Sequence, residues 1–104
     1  MSKSFTSLSL RPELLLGVKE AGYTNMTAIQ EEGLPPMLEG RDVIGQAKTG
    51  SGKTAAFGLA LLNTLDTKDL TPQALVLCPT RELADQVADE LRKLAKRISN
   101  TRIV

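Results

Sequence analysis

The segment that most constrains this chain is residues 47–54, Ala-Lys-Thr-Gly-Ser-Gly-Lys-Thr. It follows the apolar run 43–44 and precedes the apolar stretch 55–62, which has the composition of a buried helix. A strand, a glycine-rich turn and a helix in this order are typical of a P-loop, where backbone N–H groups and a helix N-terminus surround phosphates. Lys53 is then placed to reach the terminal phosphates and the Thr54 hydroxyl to ligate Mg²⁺. We therefore predict that the chain binds a nucleoside triphosphate.

Two considerations bear on this motif. Ala47 stands where the general pattern has its first glycine, but that position requires only a small residue. A Gly-Ser-Gly-Lys run also occurs in ordinary loops, so the flanking strand and helix patterns carry the prediction.

Composition excludes several other classes of function. With 104 residues, 41% hydrophobic and 24% charged, the chain is at most one soluble globular domain. Its net charge of +1 gives no global case for nucleic-acid binding. The absence of histidine excludes His-based catalysis, and the single cysteine, Cys78, excludes an internal disulfide. No apolar run is long enough to span a bilayer, so we expect no membrane association. By default we expect a cytoplasmic location and a monomer.

The apolar periodicity predicts helices that alternate with strands. The helices are expected at 12–21, from a Thr27 cap to Gly40, at 53–65, and from a Thr80 cap to Asn100; the strands are expected at 42–45, 74–78 and 101–104. The Pro35-Pro36 pair should kink or tighten the second helix. This alternation predicts an open parallel α/β sheet with flanking helices. Because the sequence stops inside a predicted strand, we expect it to be the front portion of a larger domain.

Two further segments carry a resemblance to a known family. Residues 22–30 read Gly-Tyr-Thr-Asn-Met-Thr-Ala-Ile-Gln and residues 79–84 read Pro-Thr-Arg-Glu-Leu-Ala. With residues 47–54 between them, they resemble the Q motif, the P-loop motif and the first RNA-contacting motif of the DEAD-box RNA helicases. The resemblance implies a RecA-like P-loop NTPase fold, of which residues 1–104 would be the N-terminal portion of the first helicase domain. About 1–40 would be the Q-motif region and 41–104 the P-loop and the start of the sheet.

The resemblance also implies a nucleotide site for ATP and Mg²⁺. The amide of Gln30 can donate and accept, which matches the N6 and N7 edge of adenine. The family places Tyr23 near the base, stacks Phe5 on adenine and uses Thr27 to support the P-loop. The candidate nucleotide-site residues are Phe5, Tyr23, Thr27, Gln30, Ala47, Lys48, Thr49, Gly50, Ser51, Gly52, Lys53 and Thr54, of which Lys53 and Thr54 are also the catalytic candidates.

The alternatives for these residues are structural. A lone glutamine on a helix is usually solvated, and a phenylalanine near a terminus is usually part of the core. Met26 and Ala28 also depart from the two prolines usual in the Q motif, which leaves the pose of Gln30 open.

The candidate RNA contacts are Pro79, Thr80, Arg81 and Glu82. They follow a predicted parallel strand, at the edge where open α/β sheets bind ligands. A hydroxyl, a guanidinium and the N–H groups of a new helix can hold phosphates, and the resemblance assigns them to the backbone of single-stranded RNA. The alternative is a helix cap beside an exposed arginine.

The resemblance predicts the N-terminal part of an ATP-dependent RNA helicase that unwinds or remodels RNA. The wording of residues 74–84 resembles the bacterial DbpA type, which acts on large-subunit ribosomal RNA, so we expect a structured, ribosomal RNA and a role in ribosome assembly. The 104 residues contain no Asp-Glu-Ala-Asp or Ser-Ala-Thr run, so we expect them to be inactive alone. The alternative is a non-catalytic nucleotide- or RNA-binding protein.

Overall fold

In a computed structural model, which describes residues 3–48 and 50–104, four α-helices pack together with α3 at the centre. They are α1 (Pro12–Glu20), α2 (Ala28–Leu38), α3 (Lys53–Thr64) and α4 (Arg81–Leu94), and the short 3₁₀-helix Phe5–Ser7 precedes them. Helix α3 contacts each of the other three helices. No helix in the described residues is long and apolar enough to cross a membrane.

The helices begin and end at signals that the sequence contains. Pro12 is the first residue of α1, where its missing N–H removes no hydrogen bond, and Gly22 follows the helix with a φ of +90°. Thr27 and Thr80 are the N-cap residues of α2 and α4. The predicted starts of these helices are therefore confirmed.

Helix α2 ends slightly earlier than predicted, at Leu38 instead of Gly40. Pro35 and Pro36 lie inside it, and both of their carbonyls accept a hydrogen bond from the Glu39 N–H at 3.2 Å. The shared bond shortens the last turn, which agrees with the expected tightening.

Helix α4 also ends before its predicted boundary, because its regular turns stop at Leu94 and the chain continues to Asn100 in tighter turns. The N–H of Ile98 bonds to the carbonyl three residues earlier at 2.9 Å, and Asn100 takes a left-handed φ of 58°. The apolar residues Val87, Leu91, Leu94 and Ile98 are all buried, whereas Leu83 at the start of α4 is 39% exposed.

Leucine side chains from all four helices meet in one core. Leu14 of α1, Leu34 of α2, Leu59 of α3 and Leu94 of α4 are each fully buried. Helix α1 approaches α4 closely at Gly17, where an added Cβ would lie 2.3 Å from the Leu94 carbonyl oxygen. A glycine is needed there because larger residues would force the two helices apart.

The predicted parallel sheet is not observed: among the described residues, segments 41–48, 72–78 and 101–104 form no strand. A strand needs a hydrogen-bonded neighbour, and in the described part of the chain the one bridge joins Ser4 and Asn25. Several apolar side chains of these segments face solvent: Ile44 is 94% exposed, Leu75 82% and Leu77 85%. The sheet therefore stays a prediction.

Candidate nucleotide site

The loop before α3 turns twice through backbone conformations that favour glycine. Gly50 has a φ of +85°, and Gly52, the N-cap residue of α3, has a φ of +88°. A side chain at either position would be strained in this left-handed region. The second turn makes Lys53 and Thr54 the first two residues of α3, at the end where helix N–H groups have no partner within the helix.

The groups at this helix end fit a phosphate. Lys53 is exposed, and the positive end of the α3 dipole favours an anion. Within the described part of the chain, the buried Ser51 hydroxyl finds no hydrogen-bond partner. Beside it lies a cavity of about 340 Å³ lined by Thr27, Ala28, Ile29, Glu32, Gln46, Ala47 and Ser51. An unpartnered hydroxyl, a cation and free N–H groups are what a triphosphate chain binds.

The remaining P-loop candidates are placed as follows. Ala47 is half-buried and Lys48 is exposed, with its carbonyl accepting the Ser51 N–H at 3.1 Å. Thr49 lies outside the described residues. In the described residues there is no cluster of three or more His, Cys, Asp or Glu side chains for a metal. Binding of Mg²⁺ through the half-buried Thr54 hydroxyl stays a prediction.

Gln30 connects α2 to the glycine-rich loop. Its side chain is 1% exposed; Oε1 accepts the Thr27 N–H at 2.8 Å and Nε2 donates to the Gly52 carbonyl at 3.1 Å. A Cβ on Gly52 would lie 2.4 Å from Gln30 Nε2. The structure thus brings the Q-motif glutamine and the P-loop into direct contact, a contact that the sequence pattern did not predict.

The aromatic candidates form a pair in the core. Phe5 is 2% exposed, and its ring centroid lies 6.0 Å from that of Tyr23 at an interplanar angle of 60°. The Tyr23 hydroxyl donates a hydrogen bond to the carboxylate of Glu90 on α4. Stacking of Phe5 on a base therefore stays a prediction, and it requires that one face of the ring become accessible. Sequence reasoning missed Glu90, although a tyrosine hydroxyl near the core signals that a partner is needed.

The candidate RNA contacts lie at the start of α4. Pro79, Thr80, Arg81 and Glu82 are all exposed. The Thr80 hydroxyl accepts the Leu83 N–H at 3.1 Å, so the structural alternative, a helix cap, is observed. The phosphate grip stays a prediction that depends on Arg81 and on the first N–H groups of the helix.

Two carboxyl groups outside the site have perturbed pKa values. Hydrogen bonds from Arg97 lower the pKa of Glu20 below its usual value; the pair joins α1 to the turns after α4 at 2.5 and 2.8 Å. Hydrogen bonds from Thr71 likewise lower the pKa of Asp69, in the connection between α3 and the 72–78 segment. The partners of both carboxyl groups, Arg97 and Thr71, lie outside the loop before α3.

A glycine-rich loop that opens a helix on Lys-Thr, with an unpartnered hydroxyl and a cavity beside it, defines a P-loop nucleotide-binding protein. Residues 27–104 match the DEAD/DEAH box helicase family, and the chain belongs to this family. The prediction from the three motifs is confirmed.

Relatives of known name agree with this assignment. The chain is 57% identical over 102 residues to the ATP-dependent RNA helicase DbpA of Escherichia coli (strain K12), covering 97% of this chain and 22% of that protein. It is 51% identical over 92 residues to the ATP-dependent RNA helicase CshA of Limosilactobacillus reuteri, covering 88% of this chain and 18% of that protein. The chain thus spans about a fifth of the length of these relatives.

Solved structures of similar proteins share the fold. Dbp5 of S. cerevisiae, bound to RNA and ADP BeF3, matches with a TM-score of 0.87 and 41% identity over 91% of this chain and 25% of its own. A DEAD box protein from the hyperthermophile Methanococcus jannaschii matches with a TM-score of 0.83 and 38% identity over 88% of this chain and 25% of its own. The described residues therefore have the fold of the corresponding part of a DEAD-box helicase domain.

Proposed function

We propose that this chain supplies the ATP-binding part of an ATP-dependent RNA helicase. The observation that carries the proposal is the bond between Gln30 and the Gly52 carbonyl, because it joins a base-reading residue type to a phosphate-binding loop. Family membership and the geometry of the loop before α3 support the same conclusion.

The phosphates would lie against the N-terminus of α3. Lys53 supplies a full positive charge there, and the Ser51 hydroxyl and the backbone N–H groups of the loop donate hydrogen bonds. The loop backbone and the start of α3 are held in place by hydrogen bonds before the reaction, so their N–H groups can stabilise charge as it develops on the transferred phosphoryl group with little reorganisation. Mg²⁺, when bound through Thr54, would neutralise further phosphate charge. The carboxylates that this chemistry also requires would come from other parts of the protein.

The RNA would contact the start of α4. Pro79 to Glu82 are exposed, and Arg81 stands at the helix end where backbone N–H groups face outward. Contacts to phosphates of this kind fix the position of a strand without reading its bases. From the resemblance to the DbpA type we infer a structured, ribosomal RNA and a role in ribosome assembly, in the cytoplasm and by a monomer.

The RecA-like parallel sheet is part of the same proposal. The extended segments 41–48, 72–78 and 101–104 would form its first strands, after a Q-motif region of about 1–40. The exposed Ile44, Leu75 and Leu77 support this, because apolar side chains on both faces are typical of strands that a parallel sheet buries. Strong amide-exchange protection of residues 74–78 in the full-length gene product would support the sheet, and unprotected amides there would refute it.

The test of function is RNA-stimulated ATP hydrolysis by the full-length gene product. Lys53→Ala should abolish turnover, because the charge at the phosphates is lost. Lys68→Ala, a matched change at an exposed lysine of the connection after α3, should leave it intact. Stimulation by RNA in the wild type that is lost only in Lys53→Ala supports the proposal. Nucleotide binding without turnover would favour the alternative, a non-catalytic nucleotide- or RNA-binding protein.

A further inference from the structure

The aromatic pair at the predicted adenine end of the site has an anchor on a different helix. Tyr23 lies in the loop between α1 and α2, and its ring packs against Phe5. Its hydroxyl donates to Glu90, three turns into α4. Tyr23 and Glu90 are both half-buried, so this hydrogen bond is partly shielded from water. A hydrogen bond to a carboxylate is stronger than one between neutral groups.

The Tyr23 ring is held through its hydroxyl, and the main chain that carries it is held by a backbone bond. The backbone N–H bonds to the Val18 carbonyl at 3.1 Å, and the hydroxyl bonds to Glu90. The ring cannot rotate toward solvent without breaking the hydroxyl bond. It therefore presents a constant surface to its neighbour Phe5.

Phe5 depends on that surface because its own segment is held by a few backbone bonds. The Phe5 N–H bonds to the Thr24 carbonyl at 3.3 Å, and the Lys3 carbonyl accepts the Met26 N–H at 2.7 Å. These bonds fix the backbone of the segment but leave the position of the ring to side-chain packing. The ring of Tyr23 is the aromatic neighbour of Phe5 in this packing.

We propose that Glu90 is a positioning residue for the adenine end of the nucleotide site, acting through Tyr23 on Phe5. The proposal rests on the proposed function, since it assumes that this end of the site receives a base and that one face of the Phe5 ring, 2% exposed here, opens to it while the other stays on Tyr23. Without the carboxylate, the Tyr23 hydroxyl must find water, the ring turns outward, and Phe5 loses one of the surfaces that set its orientation. The expected consequence is weaker binding of adenine nucleotides with the rest of the protein still folded.

The Tyr23–Glu90 hydrogen bond also attaches the loop between α1 and α2 to α4, so its loss could act through stability alone. The experiment therefore needs a control variant that removes a comparable contact elsewhere. The Glu20–Arg97 pair provides one, because it joins α1 to the turns after α4 without touching the aromatic pair. Asp89→Ala is a second control: this neighbour of Glu90 pairs with Arg92 on the exposed face of α4.

The experiment measures the affinity of the full-length gene product for a fluorescent ATP analogue without RNA, and its affinity for single-stranded RNA without nucleotide. The variants are Glu90→Ala, Glu90→Gln, Tyr23→Phe and the double variant Tyr23→Phe/Glu90→Ala. One hydrogen bond corresponds to a loss of about threefold to tenfold in nucleotide affinity. We expect this loss in Glu90→Ala and in Tyr23→Phe, and no further loss in the double variant, because both changes remove the same bond.

Three further results are expected. Glu90→Gln keeps most of the affinity, since an amide oxygen still accepts the hydrogen bond; RNA affinity is unchanged; and Glu20→Ala and Asp89→Ala bind nucleotide as the wild type does. Wild-type affinity in Glu90→Ala, or an equal loss in Glu20→Ala, would overturn the positioning role while leaving the proposed function intact. A wild type that binds no ATP analogue would overturn both.

Discussion

The contact between Gln30 and the glycine-rich loop leads to a prediction about two neighbouring glycines. Gly50 and Gly52 have nearly the same left-handed backbone, with φ values of +85° and +88°. Among the described residues, a Cβ added at Gly50 meets nothing within 4 Å, whereas one added at Gly52 lies 2.4 Å from Gln30 Nε2 and 3.0 Å from Thr27 Oγ1. Alanine at either position therefore carries the same backbone strain, but only Gly52→Ala displaces a buried side chain.

The difference between the two variants can be estimated. Left-handed backbone costs an alanine about 1–2 kcal/mol, and this cost is common to both variants. Displacing the Gln30 amide leaves at least one buried polar group without a partner, which costs about 1–3 kcal/mol more. Gly52→Ala should therefore lower the free energy of opening of α2 by about 1–3 kcal/mol beyond the effect of Gly50→Ala. Amide hydrogen exchange of α2, in the nucleotide-free full-length product, measures this quantity.

A second background, Gln30→Ala, separates the clash from the backbone strain. In Gln30→Ala the amide is absent, so most of the additional cost of Gly52→Ala should disappear, while the common cost and the 3.0 Å contact with Thr27 Oγ1 remain. Equal losses in Gly50→Ala and Gly52→Ala would refute the reasoning. An additional cost that persists in full in the Gln30→Ala background would also refute it, because the clash with the amide would then not be its cause.

Other contacts give predictions of the same kind. Gly17→Ala should destabilise the protein by about 1–3 kcal/mol in urea unfolding, since its Cβ would meet backbone of α4; Gly58→Ala, whose Cβ would meet a movable leucine side chain, should cost less. Thr80→Ala should cost about 1 kcal/mol by the same measurement because the cap of α4 is lost, and Thr80→Ser should retain most of it. The pKa of Glu20 is lowered by hydrogen bonds from Arg97, so its pair stabilises the folded state above the usual carboxyl pKa and is lost as the pH falls through the lowered value. The difference in melting temperature between wild type and Glu20→Gln should therefore shrink toward acid pH; a constant difference would contradict it.

The helices were the most predictable part of the fold because their signals are local. Pro12, Thr27 and Thr80 act within one turn of their own positions, and they begin helices where predicted. The ends were less predictable. Helix α4 changes to tighter turns after Leu94, yet Ile98 is still buried. Apolar spacing therefore does not locate the end of a helix, since a side chain can be buried without regular helix around it.

The strands could not be judged from local pattern alone. Segments such as 74–78 have the apolar composition of a buried strand, but a strand forms only where another segment bonds to its backbone. Hydrophobic periodicity indicates which side chains are suited to burial, but it does not identify the segment that will cover them. In the described residues no segment covers Leu75 and Leu77, which remain highly exposed.

The position of the site residues depended on contacts between distant segments. The three motifs identified the family and the loop, but Gln30 bonds to Gly52, 22 residues away along the chain, and Tyr23 bonds to Glu90, 67 residues away. No spacing rule predicts such pairs. A general rule still indicated that partners must exist, because a buried amide or phenol hydroxyl needs a hydrogen bond.

The bonds of Gln30 leave room for the adenine contact that its residue type predicts. An amide side chain has two N–H donors and two lone pairs on its oxygen. One donor is used by the Gly52 carbonyl and one lone pair by the Thr27 N–H, so one of each remains. Adenine presents an acceptor at N7 and a donor at N6, which match this remainder, whereas guanine presents acceptors at both N7 and O6. If a base reaches this buried side chain, Gln30 can therefore select adenine while it still holds the P-loop, and recognition of the base and position of the phosphates would depend on the same amide.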